Sequence, residues 1–290
     1  MKKFKKEIFN GDLDLYLKQN WLLNKESEIR ELFSCCKNDF EKELIYSLLE
    51  RFNYLSDGQY NILLNKMTRY IVEQSGFSEN LFQLTALAYD DEADSSQSMI
   101  QTLKGYIQQA EWRNIKTVNT IGGAIKNTKK GRSQIVIVDE FVGSGRTLRT
   151  RIKQLNSDLK PIIEVGVEVQ YKFCFLVGMK STIKAIKEEF GVEIFCALEL
   201  DKGISEYYQK EEVEAKIATM VEIENRNLAD KINTKNLGDY SLGYGNAEAL
   251  YSAEDCFQNT PNSVFPIFWW SEDRKNRKRG TILFRAENGF

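Results

Sequence analysis

Two adjacent carboxylates and a glycine-rich segment lie within nine residues of each other near the middle of the sequence. Asp139 and Glu140 follow four apolar β-forming residues, and the segment Gly143 to Thr147 comes just after them. Glycines let the backbone turn tightly and direct several N–H groups to one side. A helical pattern starts here, and a helix N-terminus adds partial positive charge. With the hydroxyls of Ser144 and Thr147, the segment suits a phosphomonoester.

The two acids suit a different chemical group from the one the loop suits. A carboxylate repels phosphate, but it accepts hydrogen bonds from hydroxyl groups. Asp139 and Glu140 therefore fit the vicinal hydroxyls of a sugar, and the whole stretch fits a ribose 5-phosphate. The alternative is a strand that ends in an acidic turn, followed by a loop that only caps a helix. Arg146 is equally open, as a phosphate ligand or as a solvated residue at the helix start.

The chain of 290 residues contains no histidine. This absence excludes Ser-His-Asp and Cys-His nucleophilic sites, HExxH zinc hydrolases and histidine proton shuttles. No cluster of residues at metal-ligand spacing is visible either, so a direct protein metal site is not expected. Any chemistry must use carboxylates, hydroxyls, cationic side chains, backbone groups or a metal ion carried by a ligand.

Hydrophobic periodicity predicts the elements that position these residues. Apolar residues at helical spacing predict helices over 26–33, 40–52 and 60–71. Short apolar runs then alternate with helical patterns, which predicts an α/β fold with a parallel sheet flanked by helices. The predicted strands are 81–88, 115–118, 134–138, 172–177 and 192–200, and the predicted helices are 95–106, 123–130, 145–155 and 181–190. Loops at the carboxyl ends of the strands should form the ligand crevice.

Composition predicts a cytoplasmic protein. Hydrophobic residues make up 42% of the chain, the net charge is −2, and no apolar run reaches 18 residues. The basic start is not followed by the apolar segment of a secretory signal. Five cysteines without a CxxC pair indicate reduced thiols. We expect no membrane partner.

The stretch from Ile135 to Thr147 resembles the phosphoribosyl diphosphate signature of type I phosphoribosyltransferases. Asp139 and Glu140 match the acids that bind the ribose hydroxyls, and Ser144, Gly145 and Thr147 match the phosphate loop. The resemblance implies phosphoribosyl diphosphate, or a ribose 5-phosphate nucleotide, as ligand, with glycosyl transfer or hydrolysis at ribose C1. One departure is Gly143, since many of these transferases have an aspartate there for proton transfer. A substitute base would have to come from elsewhere, and Asp201, after the fifth strand, is our candidate.

The resemblance also implies a pyrophosphate loop after the first core strand. Its equivalent here is the segment around Asp94, Ser95 and Ser96, where Mg²⁺ bound with the diphosphate would offset the nearby acids. The alternative is an acidic solvated loop with a serine helix cap. Tyr244, in a glycine-flanked loop, is a candidate to cover a base or acceptor, or else a packed turn residue.

Three C-terminal segments resemble signatures of phosphoribosyltransferase-like proteins from bacterial conflict systems: Gly243 to Leu250, Asn259 to Asn262 and Phe265 to Trp270. The resemblance implies a helical N-terminal region (1–78), an α/β core (79–205) and a hood-like C-terminal extension (206–290) packed on the core. It also implies an effector or accessory role in antiphage defence beside a protein partner encoded nearby. A non-catalytic nucleotide sensor or scaffold that regulates such a partner is the alternative.

The run from Arg274 to Arg279 is the one segment that suggests a nucleic-acid partner. It follows two tryptophans, and cationic and aromatic side chains together can bind single strands. Only six residues are involved, however, and a solvated loop explains them as well. The near-neutral charge of the whole chain gives no further reason to expect nucleic acid.

Overall fold

The computed structural model describes residues 13–89, 95–254 and 259–286. The helices are α1 (residues 13–18), α2 (Glu26–Ser34), α3 (Asp39–Glu50), α4 (Asp57–Arg69), α5 (Ser95–Gln109), α6 (Ile121–Thr128), α7 (Arg146–Glu164), α8 (Lys180–Phe190), α9 (Lys210–Asn227) and α10 (Leu237–Tyr240). The strands are β1 (Asn53–Leu55), β2 (Phe82–Ala86), β3 (Lys116–Val118), β4 (Gln134–Val142), β5 (Gln170–Met179), β6 (Ile194–Leu200), β7 (Lys231–Ile232), β8 (Lys235–Asn236) and β9 (Tyr251–Ala253). Within these ranges, no helix is both long enough and apolar enough to cross a bilayer.

The chain packs as two compact units. The core unit is Gly58–Leu200, and the composite unit joins Met1–Asp57 to Asp201–Gly289. The three-part division expected from the sequence stays a prediction.

The core unit contains a five-stranded, wholly parallel sheet in the order β3-β2-β4-β5-β6. This confirms the predicted α/β fold, and every predicted strand is present. The strands lack a polar face because both faces are covered, as is usual for parallel sheets. All five residues of β2 are buried, and so are the residues 135–138 of β4.

Helices cover this sheet on both sides. Ile135 and Ile137 of β4 pack in one apolar cluster with residues of α6, α7 and α8. Val136 and Val138, which alternate with them and point to the opposite face, are fully buried as well. Helix α5 contacts β2 and β4. The sheet is therefore a rigid support for the loops at its carboxyl edge.

The order of the strands creates a switch point between β2 and β4. After β2 the chain moves outward to β3, and it then returns to place β4 on the other side of β2. In open parallel sheets, ligands bind beside such a reversal, at the carboxyl ends of the strands. The loops that follow β2 and β4 are the two in which the sequence predicted pyrophosphate and phosphate binding.

Strand β4 extends four residues beyond the predicted end at Val138. Its pairing with β2 stops at Ala86 opposite Val138, but its pairing with β5 continues as far as Val142 opposite Gly178. The longer β5 supplies backbone partners that the hydrophobic pattern of β4 does not reveal. Asp139 and Glu140 therefore lie inside a strand whose neighbour on one side has already ended.

The composite unit joins chain segments that are distant in sequence. Strand β1 pairs in parallel with β9, from Asn53 opposite Tyr251 to Leu55 opposite Ala253. Helix α3 packs against α9, where Arg226 forms an ion pair with the buried Glu41 at 2.5 Å. The unit is therefore built from segments that precede and follow the core unit in sequence.

Candidate functional site

Gly145 shapes the loop between β4 and α7, here called the phosphate loop (residues 143–147). It is the N-cap of α7 in the left-handed conformation, with φ 70° and ψ 8°. A Cβ atom at this position would lie 2.6 Å from Ile186 Cδ1 and 2.7 Å from Thr182 Cγ2 of α8. Both the backbone angle and the close approach to α8 therefore require glycine.

The phosphate loop has hydrogen-bond donors that no group in the described part of the chain accepts. In the parts of the chain that the structure describes, the N–H groups of Ser144, Gly145, Thr147 and Leu148 donate to no backbone or side-chain acceptor. Four such N–H groups at a helix start form an anion site when they face solvent or a ligand. The N–H of Arg149, one turn further along, donates to the Gly145 carbonyl oxygen at 2.9 Å. The donors thus remain for a ligand.

Arg149 and Glu189 connect the phosphate loop to helix α8. The Arg149 guanidinium donates from Nη1 to the Ser144 carbonyl oxygen at 3.2 Å and from Nε to Glu189 Oε2 at 2.6 Å. Glu189 belongs to α8, so the arginine connects the loop to a second helix. The sequence indicated neither residue: Arg149 is one helical turn from Gly145, but its partner is 40 residues away.

Asp139 and Glu140 lie just before this loop in the sequence. Both are partly buried near the end of β4. Asp139 Oδ1 accepts the N–H of Glu140 at 2.7 Å, so this carboxylate lies close to the strand backbone. Arg146, which is exposed at the first position of α7, belongs to the loop itself, and only Phe141 and Val142 separate the acids from it.

The predicted pyrophosphate loop falls mostly outside the described residues. Asp94 lies in the gap at 90–94, and α5 begins at Ser95, as expected for a helix start after β2. Ser96 is fully buried in the first turn of α5. Because β2 neighbours β4 in the sheet, this helix start and the phosphate loop follow adjacent strands.

Asp201 and Tyr244, the other two predicted site residues, belong to the composite unit. Asp201 is exposed and comes directly after the edge strand β6. The Tyr244 ring lies 5.4 Å from the ring of Tyr240, which also contacts Trp269 and Trp270. The catalytic role of Asp201 and the base-binding role of Tyr244 stay predictions.

Residues 242–248 form a second glycine-rich loop, here called the clamp loop. Five of its residues have positive φ: Leu242, Gly243, Gly245, Asn246 and Glu248. Glu248 is 1% exposed, and its Oε2 accepts the N–H groups of Ile204 at 2.8 Å and Ser205 at 2.7 Å. Its Oε1 accepts the Ser205 hydroxyl. The clamp loop thus holds the segment that follows β6.

The basic run at 274–279 is largely engaged in contacts within the protein. Arg274 pairs with Asp230, and Arg277 pairs with Asp273. Arg279 is buried and donates to the carbonyl oxygens of Ile267 and Trp270, at 3.1 Å and 3.0 Å. Two ion pairs and a buried guanidinium agree better with a structural turn than with a nucleic-acid surface.

The carboxylates that lie nearest to the phosphate loop in sequence are Asp139 and Glu140. In residues 13–89, 95–254 and 259–286, no three cysteine, aspartate or glutamate side chains are grouped to hold an ion. Mg²⁺ is usually bound through one or two carboxylates and several phosphate or water oxygens. Asp139 and Glu140 are of the right chemical type for that arrangement.

A parallel α/β sheet with N–H donors at a helix start beside its switch point is typical of proteins that bind phosphorylated ligands. The model of the PRTase-CE family matches residues 19–281, so the chain belongs to the PRTase-CE family. No curated protein matches it.

Several solved phosphoribosyltransferases resemble part of the chain. The Helicobacter pylori xanthine-guanine-hypoxanthine enzyme is 16% identical, with a TM-score of 0.32 over 51% of this chain and 85% of that one. The Leishmania tarentolae HGPRT-ase in complex with GMP is 12% identical, with a TM-score of 0.34 over 51% and 81%. The Schistosoma mansoni hypoxanthine-guanine enzyme in complex with IMP is 13% identical, with a TM-score of 0.33 over 51% and 65%.

Proposed function

We propose that this protein binds phosphoribosyl diphosphate, or a nucleotide that presents ribose 5-phosphate, at the phosphate loop. The observation that supports this most is the set of unused donors: the N–H groups of Ser144, Gly145, Thr147 and Leu148. The hydroxyls of Ser144 and Thr147 add two further donors. A phosphate group would satisfy all of them, and the helix N-terminus would favour its charge.

In this proposal the ribose lies toward Asp139 and Glu140, whose carboxylates accept its hydroxyl hydrogens. The diphosphate would extend toward the start of α5, which follows the neighbouring strand β2. Mg²⁺ bound with the diphosphate would neutralise charge there. Glycosyl transfer or hydrolysis passes through an oxocarbenium-like C1, and such a reaction depends chiefly on positioning and electrostatics. A site without histidine is compatible with it.

The alternative is a nucleotide sensor without turnover, and Gly143 favours it. A glycine has no side chain to move a proton at the position where related transferases have an aspartate. The donors of the phosphate loop are available under both proposals. The two proposals, catalyst and sensor, differ only in whether the bond at ribose C1 breaks.

Calorimetric titration tests the binding proposal. Phosphoribosyl diphosphate with Mg²⁺, ribose 5-phosphate and inorganic phosphate should each bind the full chain, in decreasing order of affinity. Release of pyrophosphate or free base, measured on the same samples, then separates a catalyst from a sensor. No binding of any of the three at millimolar concentration would contradict the proposal.

We also propose that the protein acts in antiphage defence with a partner encoded nearby. The support is the resemblance of its C-terminal signatures to those of conflict-system proteins. Phage plating on cells that carry the native locus, with wild type or Asp139→Ala, tests this role. Equal plating efficiency on cells with and without the locus would contradict it.

A further inference from the structure

The geometry points to Arg149 as a positioning residue: we propose that it orients the N–H groups of the phosphate loop toward the ligand without touching the ligand. This inference rests on the proposed phosphate-binding function. It starts from the guanidinium, which contacts the Ser144 carbonyl oxygen at 3.2 Å and Glu189 Oε2 at 2.6 Å.

The carbonyl contact controls the direction of an amide. Cis peptide bonds are absent from the part of the chain that the structure describes. In a trans peptide the C=O of one residue and the N–H of the next point in opposite directions. Because Arg149 draws the Ser144 oxygen toward itself, the Gly145 N–H points away from Arg149. That N–H is one of the unused donors.

The backbone of Arg149 reinforces the same arrangement. Its N–H donates to the Gly145 carbonyl oxygen at 2.9 Å, so the carbonyls of both Ser144 and Gly145 are held by this one residue. By the same geometry, the N–H of Arg146 points away from the Gly145 oxygen. The side chain and the backbone of Arg149 together orient the peptide units 144–145 and 145–146. The carbonyl oxygens of both units point toward Arg149, and their N–H groups point away from it.

Glu189 gives the guanidinium its fixed place. The Nε–Glu189 contact comes from α8, the helix against which Gly145 packs within van der Waals distance. A guanidinium holds two acceptors in a rigid planar fork, whereas a lysine ammonium is a single mobile point charge. The proposal therefore requires arginine at 149, and not only a positive charge.

Arg149→Ala should lower the affinity for inorganic phosphate about tenfold, the size of one or two lost charge-assisted contacts. Arg149→Lys keeps the charge and should recover little of that loss. Glu189→Gln should cause a smaller loss in the same direction. Lys153→Ala, which removes an exposed charge from the same helix, is the matched control and should bind phosphate like wild type.

The amide resonance of Gly145, followed by NMR in ligand-free protein, provides a readout that a general loss of stability would not move. It should shift in Arg149→Ala and Arg149→Lys and stay in place in Lys153→Ala. Full recovery of phosphate affinity by Arg149→Lys, or an unmoved Gly145 amide with wild-type affinity in Arg149→Ala, would overturn the positioning role. If the Gly145 amide shifts but wild type binds no phosphate, the proposed function fails and the structural effect of Arg149 stands.

Discussion

The two glycine-rich loops of this protein use their polar groups in opposite ways. In the phosphate loop of the core unit, several backbone N–H groups have no acceptor among the residues that the structure describes. In the clamp loop of the composite unit, the carboxylate of Glu248 is fully engaged by Ile204 and Ser205. Lys202 Nζ donates to the Asn246 carbonyl oxygen at 2.8 Å as well.

The difference teaches that glycine content does not identify a ligand loop. Both loops contain Gly-X-Gly, and both have positive φ angles. Only the phosphate loop leads directly from a strand into a long helix, whose first N–H groups have no partner in the preceding turn. In the clamp loop, the Glu248 carboxylate and the N–H groups of Tyr244, Ala247 and Glu248 are hydrogen-bonded within the protein. We therefore expect its substitutions to affect folding and those of the phosphate loop to affect binding.

Gly243→Ala should have the largest effect on stability. A Cβ at this position would lie 2.0 Å from the Ser263 carbonyl oxygen, and the φ of 78° is unfavourable for alanine. We expect a loss of about 3 kcal/mol in the free energy of unfolding, measured by urea denaturation. Gly145→Ala is the matched variant in the phosphate loop. It should abolish phosphate binding in addition to lowering stability. The comparison fails if Gly243→Ala unfolds like wild type, or if Gly145→Ala still binds phosphate.

Glu224→Gln should change how stability depends on pH. Burial raises the pKa of the Glu224 carboxyl to about 8, against an ordinary value of 4.5. The folded state therefore binds a proton that the unfolded state releases, and stability is lost as pH rises from about 4.5 toward 8. No histidine titrates in this window. Glutamine is neutral throughout, so the variant should gain about 2 kcal/mol relative to wild type between pH 6 and 8.

Melting curves across pH 5–9 measure this effect in the composite unit. Glu211→Gln, at an exposed position in the first turn of the same helix, is the control and should follow wild type. Parallel pH curves for wild type and Glu224→Gln would show that Glu224 ionises freely in the folded protein.

Asp139→Asn should separate sugar recognition from phosphate recognition. The lost charge-assisted hydrogen bond should weaken ribose 5-phosphate binding by about 1.5 kcal/mol, or about tenfold. The affinity for inorganic phosphate should stay unchanged. Asp201→Asn should leave both affinities intact and lower turnover, if turnover occurs. Equal losses for both ligands in Asp139→Asn would show that this residue only supports the strand.

The smallest effect is expected from the basic run. Because Arg274, Arg277 and Arg279 are engaged within the protein, only weak nucleic-acid binding is expected from Lys275 and Lys278. Replacing both lysines by alanine should change the affinity for single-stranded DNA by at most about twofold at 150 mM salt. A steep salt dependence that the double variant removes would instead establish a nucleic-acid surface.

Much of the core unit was predictable from local pattern. Runs such as 135–138 and 173–177 are apolar on both faces, and only a sheet covered on both sides buries such runs. The acids, the glycines and the helix start of the phosphate loop are contiguous in sequence, so their relative positions follow from the chain itself. The end of β4 was not predictable, because Asp139 and Glu140 interrupt the apolar pattern, whereas pairing with β5 continues the strand to the buried Val142.

Tertiary structure alone decided which groups were left for a ligand. The hold of Arg149 on Ser144 depends on Glu189, 40 residues away, and the engagement of Glu248 depends on Ile204 and Ser205. No local pattern encodes such pairs, because a hydrogen bond needs two partners to be brought within about 3 Å by the packing of separate elements. The sequence determined which polar groups this protein has, and the fold determined which of them it uses for itself.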